Sequence, residues 1–233
     1  ICTAQALLAI ISSFYAVYHG PDGLEAIAKK IIFLRAKLEN CLKQLDYQID
    51  SFSKFDTINV YCKESKDIHL LAQERGFNFL ILPQGSSIEE SQGFGISLDE
   101  LSTDNEINLL VNIFADVKQK DGSKINKNIT FNVDTLLTSV PIRNKPWLQQ
   151  KVFNIYRNET DLIRYIQRLA TKDFSLVHGM IPLGSCTMKL NSAAELAPIS
   201  WREFACIHPF APSDQSDGFQ HLICDLENWL AGL

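Results

Sequence analysis

The amino-acid sequence predicts an α/β protein that contains a small α+β domain. Three observations predict this class. Apolar residues recur at helical spacing over long stretches near the start of the chain. Short segments typical of strands follow them. Between residues 57 and 117 the predicted order is strand, helix, strand, strand, helix, which favours one sheet covered on one face.

The first part of the chain predicts two helices separated by a break. Residues 1–18 are apolar on nearly every face, which indicates burial on all sides within a larger body, with packing partners upstream of this chain. The His-Gly-Pro run at 19–21 ends this helix, and Asp22 with Glu25 resembles a capping box. Apolar residues at helical spacing over 24–45 then predict a long helix with one apolar face.

The predicted small domain follows. Strands are expected at 57–62, 79–82 and 94–98, and helices at 66–75 and 103–117. Gly76 ends the first of these helices, and Thr103 with Glu106 begins the second. We expect His69 to be exposed on its helix. Asp99 and Glu100 are adjacent, so their side chains point apart, and a turn or helix entry is the favoured role.

The rest of the chain begins with a connector. Residues 118–150 are polar, and their lysines predict a solvated face. Part of the connector is expected to pack, because it carries Phe131, Val133, Leu136 and Leu137. A capped helix is predicted at 158–169, and a final amphipathic helix carries Phe219, Leu222, Ile223, Leu226, Trp229 and Leu230.

Composition excludes several classes of protein. The 233 residues are 46% hydrophobic and 21% charged, which is typical of a soluble globular protein. A net charge of −5 argues against nucleic-acid binding. The longest apolar run, 6–18, is shorter than the roughly 20 residues that a membrane helix needs. Six cysteines without a C-x-x-C pair predict reduced thiols in an intracellular protein.

One segment is poorly explained by packing alone. Residues 180–191, Met-Ile-Pro-Leu-Gly-Ser-Cys-Thr-Met-Lys-Leu-Asn, place small polar residues in an apolar context. Backbone N–H groups and the hydroxyls of Ser185 and Thr187 can bind a carboxylate or phosphate. Alternatively, the hydroxyls cap a helix that begins near Ser192. Cys186 is either a nucleophile or a buried inert thiol, and spacing does not decide whether Lys189 carries a cofactor.

A second pattern weakly resembles a zinc site. Cys206-x-His208 and His221-x-x-Cys224 are separated by twelve intervening residues. However, Cys224 belongs to the apolar face predicted for the last helix. A metal centre is therefore disfavoured, and residue patterns alone do not reach a reaction.

Several blocks resemble one family. They are Ile1–Ala9, Tyr15–Pro21, Gly95–Glu100, Met180–Asn191, Trp201–Phe204 and His208–Phe210. In this order they resemble the P-protein family of the glycine cleavage system, which contains the pyridoxal-phosphate-dependent glycine dehydrogenases (decarboxylating). The match runs in register along the chain. With no initiator Met before Ile1, it implies an internal piece of a longer protein.

The resemblance implies a fold and a domain organisation. The family fold is the fold-type-I pyridoxal-phosphate-dependent transferase-like fold, with two such halves. Residues 1–23 would end the large domain of the first half, 24–117 would form its small α+β domain, 118–150 a linker, and 151–233 the start of the second half. The Schiff-base lysine of the family lies in a His-Lys-Thr stretch further on. We therefore expect it beyond Leu233, which leaves Lys189 without that role and the isolated fragment inactive and poorly soluble.

The resemblance also implies a reaction. Glycine is decarboxylated with pyridoxal 5'-phosphate as cofactor, and the aminomethyl group passes to the lipoyl arm of the H-protein. Ser185, Cys186 and Thr187 would border the active site and contact substrate or cofactor. The implied full-length protein is a homodimer, cytoplasmic in a bacterium or in the mitochondrial matrix of a eukaryote, without nucleic-acid or membrane partners.

The match has departures. Where the family usually has His, Pro, His and Ser, this chain has Gln150, Lys151, Arg157 and Asn158. Any task that rests on those two histidines is therefore in doubt. A catalytically inactive scaffold is the alternative to the enzyme, and a zinc-binding module is a third, less favoured hypothesis.

Overall fold

The computed structural model describes residues 5–50, 55–83, 87–127, 143, 145–173, 179–180 and 192–233. The chain divides into two compact units, Ile1–Arg168 and Leu169–Leu233. Every helix in the described part of the chain is either too short or insufficiently apolar to cross a membrane. The division into four segments, 1–23, 24–117, 118–150 and 151–233, stays a prediction.

The first unit is a mixture of helices and one antiparallel sheet. Its elements are α1 Gln5–Gln44, β1 Ile49–Asp50, β2 Thr57–Tyr61, α2 Ser65–Glu74, β3 Leu80–Leu82, β4 Gly93–Ser97, α3 Asp104–Val117, α4 Val152–Ile155 and α5 Glu159–Ala170, the last of which crosses the boundary between the units. Short 3-10 helices lie at Ile88–Glu90 and Gly122–Lys124. The predicted mixture of helices and strands is confirmed, and β1 is a strand that the sequence patterns missed.

The predicted break between the first two helices is a bend within α1. Gly20 has φ 57° and ψ −171°, which is not helical, and Pro21 follows it inside the helix. Glycine adopts positive φ without a steric penalty, whereas other residues rarely do. The helical direction therefore changes at this point, and α1 has a first arm before Gly20 and a second arm after it.

The first arm of α1 exposes its apolar side chains. Leu7 and Leu8 are 62% and 65% exposed, and Ile10 and Ile11 are exposed as well. Within this chain these side chains lie away from the core beneath the sheet. Their exposure agrees with the prediction that their packing partners lie outside these residues. That a larger body covers them stays a prediction.

The sheet has the strand order β1-β2-β4-β3, and every neighbouring pair is antiparallel. In the central pair, Ile58 faces Ile96 and Val60 faces Phe94. All four side chains are buried, whereas Tyr61 on the opposite face is exposed. The alternation predicted for β2 is confirmed, and so is a sheet covered on one face.

The sheet, α2, α3 and the second arm of α1, together called the small domain below, share a core of stacked aromatic rings. Phe94 of β4 stacks on Phe114 of α3 with ring centroids 5.2 Å apart, and Phe79 stacks on the same Phe114 ring at 5.8 Å. The second arm of α1 adds Leu38 and Leu42, which are fully buried. The long helix with one apolar face is therefore confirmed, and it fills the space beneath the sheet.

The turn before α3 forms as the sequence predicts. The Thr103 hydroxyl accepts a hydrogen bond from the Glu106 N–H, and the Glu106 carboxylate accepts one from the Thr103 N–H. This reciprocal pair is a capping box. Just upstream, the Asp99 carboxylate accepts hydrogen bonds from the N–H groups of Leu101 and Ser102. The turn role expected for Asp99 is confirmed.

His69 is buried, so the prediction that it is exposed is wrong. Its side chain lies between α2 and the sheet with 3% exposure, and its Nε2 lies 3.2 Å from the carbonyl oxygen of Gly93. The buried residues of α2 are Ser65, Ile68, His69 and Ala72, which are spaced by three, one and three. That spacing is one apolar face of a helix, and it includes the histidine.

Burial lowers the pKa of His69 below its ordinary 6.5, although the hydrogen bond to Gly93 opposes the shift. The unfolded chain therefore binds more protons than the folded chain as pH falls below 6.5. We expect stability to decrease through this window, and His69→Phe to weaken the decrease. Urea unfolding of the small domain at pH values of about 7.5 and 5.5 measures the effect, with exposed His221→Phe as the control.

Lysines after α3 form ion pairs with carboxylates, although the sequence predicts that this segment presents a solvated face. Lys118 contacts Glu64 and Lys120 contacts Asp46, each with an N–O distance of 2.6 Å. Ile125, in the predicted linker, packs against the core. The start of the polar segment therefore lies against the small domain. The apolar residues Phe131, Val133, Leu136 and Leu137 lie outside the described residues.

The second unit is largely helical where it is described. Beyond the end of α5 it contains α6 Ala193–Leu196, α7 Arg202–Ala205 and α8 Asp217–Ala231, with 3-10 helices at Ala197–Ser200 and Ser213–Gln215. The final amphipathic helix is confirmed as α8. Its apolar residues Leu222, Ile223, Leu226, Trp229 and Leu230 are exposed. Phe219 contacts Phe204 with ring centroids 5.7 Å apart.

Candidate functional site

The loop singled out by the sequence lies outside the described residues. Ser185, Cys186 and Thr187, together with Lys189, fall within residues 181–191. Their roles stay predictions. On the near side of this segment, Met180 is 86% exposed.

The far side of the segment bears on the alternative that its hydroxyls cap a helix. The Ser192 hydroxyl accepts a hydrogen bond from the Glu195 N–H at 3.2 Å, and the Glu195 carboxylate accepts one from the Ser192 N–H at 3.1 Å. This capping box begins α6. Because Ser192 performs the capping, the helix does not require the hydroxyls of Ser185 and Thr187.

Among the described residues, polar groups converge on the bend in α1. We call Tyr15, His19, Gly20, Phe153 and Arg157 the bend cluster. The Arg157 guanidinium donates a hydrogen bond from Nη1 to the backbone carbonyl of His19 at 2.6 Å. A Cβ atom built on Gly20 would lie 2.3 Å from both Arg157 Nη2 and the Phe153 carbonyl oxygen. The absence of a side chain at Gly20 therefore lets the guanidinium reach the helix backbone.

Aromatic contacts surround the same bend. The rings of Tyr15 and His19 lie 4.4 Å apart, and the Tyr15 hydroxyl lies 3.5 Å from the Glu100 carboxylate. Burial raises the pKa of Tyr15, and the negative charge of Glu100 raises it further. Lys30 donates a hydrogen bond to the Glu100 backbone carbonyl at 2.8 Å. The turn after β4 is thus joined to both arms of α1.

The pair Asp99 and Glu100 does not form a carboxylate pair for acid–base chemistry. Asp99 accepts backbone hydrogen bonds within its own turn, whereas Glu100 faces Tyr15. The expectation that the two adjacent side chains point apart is therefore confirmed. His19, in turn, contributes its backbone carbonyl to Arg157 and its ring to the aromatic contacts.

The zinc alternative gains no support from the described residues. Within them, no group of three or more His, Cys, Asp or Glu side chains could hold a metal ion. Cys206 and Cys224 are exposed free thiols. Nδ1 of His208 accepts a hydrogen bond from the Phe210 N–H at 3.0 Å. Among the described residues, Cys41 and Cys62 are also free.

Comparison with known proteins bears on the sequence resemblance. A family model described as "Glycine cleavage system P-protein" matches residues 1–114. A protein of Prochlorococcus marinus named glycine dehydrogenase (decarboxylating) is 59% identical over all 233 residues of this chain. The chain belongs to the glycine cleavage system P-protein family.

Other relatives carry the same name. One from a Synechococcus species is 51% identical over the whole chain, which covers 24% of that relative. The mouse protein named glycine dehydrogenase (decarboxylating), mitochondrial, is 44% identical over 97% of the chain, which covers 21% of it. The chain likewise covers 24% of the Prochlorococcus marinus relative. It therefore spans about a quarter of the length of the family members that it matches.

The structure shows a contact that residue patterns missed. Arg157 binds the backbone carbonyl of His19, 138 residues away in sequence. No local periodicity links the two positions. The usable signal was the break at residues 19–21, because a bent helix needs a partner for its exposed backbone.

Proposed function

We propose that this chain belongs to an enzyme that decarboxylates glycine and transfers the remaining aminomethyl group to the lipoyl arm of the H-protein. The observation that carries the proposal is the 59% identity, over the full chain, to a protein named glycine dehydrogenase (decarboxylating). The aligned length includes the segment 180–191, which packing alone explains poorly. The substrate is glycine, and the lipoyl-carrying H-protein is the partner.

The proposed cofactor is pyridoxal 5'-phosphate. When bound, it supplies an electron sink for the electrons left by the departing carboxylate. The donor set of the candidate loop fits an anionic ligand, because Ser185 and Thr187 offer hydroxyl groups and the adjacent backbone offers N–H groups. These groups would bind and orient the substrate carboxylate or the cofactor. Cys186 would border the same site.

The proposed fold is the fold-type-I transferase-like fold. In it, the small domain of the first half corresponds to residues 24–117, and the second half begins at about residue 151. The antiparallel sheet covered by α1, α2 and α3 is compatible with such a small domain. We propose a homodimer for the full-length protein, in the cytoplasm of a bacterium or the mitochondrial matrix of a eukaryote.

Isotope exchange tests the proposed function. The full-length protein, loaded with pyridoxal 5'-phosphate, is incubated with glycine and labelled bicarbonate, with and without lipoylated H-protein. We expect label to enter the glycine carboxyl group, and the rate to depend on H-protein. An inactive scaffold would fold and give no exchange under either condition, and that result would reject the enzyme.

Substitutions in the candidate loop test the proposed site. We expect Ser185→Ala and Thr187→Ala each to lower the exchange rate by about tenfold or more, since each removes a hydrogen bond to an anionic group. Ser200→Ala is the matched control, because the Ser200 hydroxyl donates to the carbonyl of Ala197 within its own turn. Unchanged kinetics in both loop variants would remove these hydroxyls from the site.

A further inference from the structure

The bend in α1 leaves backbone groups without the hydrogen bonds that a straight helix would supply. Gly20 is buried at φ 57° and ψ −171°, and Pro21 has no backbone N–H to donate. Carbonyl groups at such a break need other donors, and positive charge is favourable where a helical segment ends. The bend cluster supplies both through one side chain, Arg157.

Arg157 holds its position through contacts on two elements. Nη1 donates to the His19 carbonyl at 2.6 Å, and Nη2 donates to the side-chain oxygen of Asn154 at 3.4 Å. Its Nε is buried without a hydrogen-bond partner in the described structure. A buried N–H without a partner is unfavourable, so the other contacts must outweigh its cost. The arrangement joins α1 to the segment that contains α4.

Aromatic contacts involve the other end of the segment 152–168, in α5. Phe14 of α1 meets Tyr165 of α5 edge to face, with ring centroids 6.1 Å apart. Tyr156 stacks on Tyr165 at 4.2 Å, and the Arg168 guanidinium lies 5.2 Å from the Tyr165 ring. The segment 152–168 therefore contacts the first arm of α1 at two places. Arg157 makes the first contact, with the His19 carbonyl, and Tyr165 makes the second, with the Phe14 ring.

We infer that Arg157 is a positioning residue, whose hydrogen bond to the His19 carbonyl fixes the bend of α1 and seats α4 and α5 against it. The consequence for catalysis rests on the proposed function. We therefore expect glycine turnover in the full-length protein to depend on this bend.

The test compares Arg157→Ala and Arg157→Lys with Arg164→Ala in the full-length protein. Arg164 is an exposed arginine on α5, so its removal is the matched control. Amide hydrogen exchange is measured over residues 14–24 and 152–168. We expect Arg157→Ala to accelerate exchange there by about tenfold or more, and Arg157→Lys to do so less, because lysine keeps one charged donor.

The same variants are assayed for glycine–bicarbonate exchange with H-protein. We expect kcat to fall by about tenfold in Arg157→Ala with little change in KM. The substitution removes the hydrogen bond that fixes the bend of α1, whereas the contacts with substrate remain. Local exchange equal to that of Arg164→Ala, a uniform rise over the whole chain, or unchanged kcat would each overturn the inference. If the unsubstituted protein is inactive, the proposed function fails, and the hydrogen-exchange comparison still decides the role of Arg157 in the bend.

Discussion

Phe114→Ala is expected to destabilise the small domain by about 3 to 5 kcal/mol. The Phe114 ring is fully buried and stacks on both Phe94 and Phe79. Its removal leaves a cavity at the centre of the core, and the rings on either side lose a partner. The backbone carbonyl of Phe114 also accepts a hydrogen bond from the Tyr47 hydroxyl, which the substitution disturbs only through backbone movement.

Native-state amide exchange of β2 and β4 in the full-length protein measures this effect. We expect protected amides there to exchange about a hundredfold faster or more. Phe55→Ala is the control, since Phe55 is 46% exposed, and its effect should stay within about 0.5 kcal/mol. Phe114→Leu, with a smaller cavity, keeps the comparison possible if the alanine variant does not fold. Equal effects of Phe114→Leu and Phe55→Ala would contradict the described core.

Gly20→Ala is expected to destabilise the bend of α1 by about 3 kcal/mol. Two causes add. Alanine is strained at φ 57°, and its Cβ would lie 2.3 Å from the Phe153 carbonyl oxygen, a backbone atom that cannot rotate away. The substitution would also displace the Arg157 guanidinium from its place over the helix.

Alanine substitutions at two other glycines distinguish the backbone strain from the close contacts. Gly76 has φ 82° and open space around it, so Gly76→Ala reports strain alone, about 1 to 2 kcal/mol. Gly218 has open space and no positive φ, so Gly218→Ala carries neither cost. The rate of limited proteolysis near residue 20, and near each control position, measures local opening. A Gly20→Ala effect no larger than that of Gly76→Ala would show that the close contacts do not matter.

Elements specified by nearby residues could be predicted from the sequence. Thr103 and Glu106 form the expected capping box, and Ile58 and Val60 alternate as a half-buried strand should. The break at residues 19–21 is present because the glycine conformation and the following proline are local properties. Strand β1 has two residues, Ile49 and Asp50, too few for any alternation to be visible.

Features that depend on distant contacts could not be predicted in the same way. Arg157 is explained by its bond to His19, and these positions become neighbours only after folding. The burial of His69 is predictable from the sequence, because this residue shares a helix face with Ile68 and Ala72. The polarity of histidine favours exposure, whereas its position on this helix face places it in the core. The residue types of the candidate loop identify it in the sequence. Residues 181–191 lie outside the part of the chain that the structure describes.

Mapping the lysine that binds the proposed cofactor is a direct test of the proposed function. The full-length protein, loaded with pyridoxal 5'-phosphate, is reduced with borohydride, digested and mapped by mass spectrometry. We expect one pyridoxyl group, attached to a lysine that follows Leu233. A pyridoxyl group on Lys189 or on any other lysine of these 233 residues, or none at all, would contradict it.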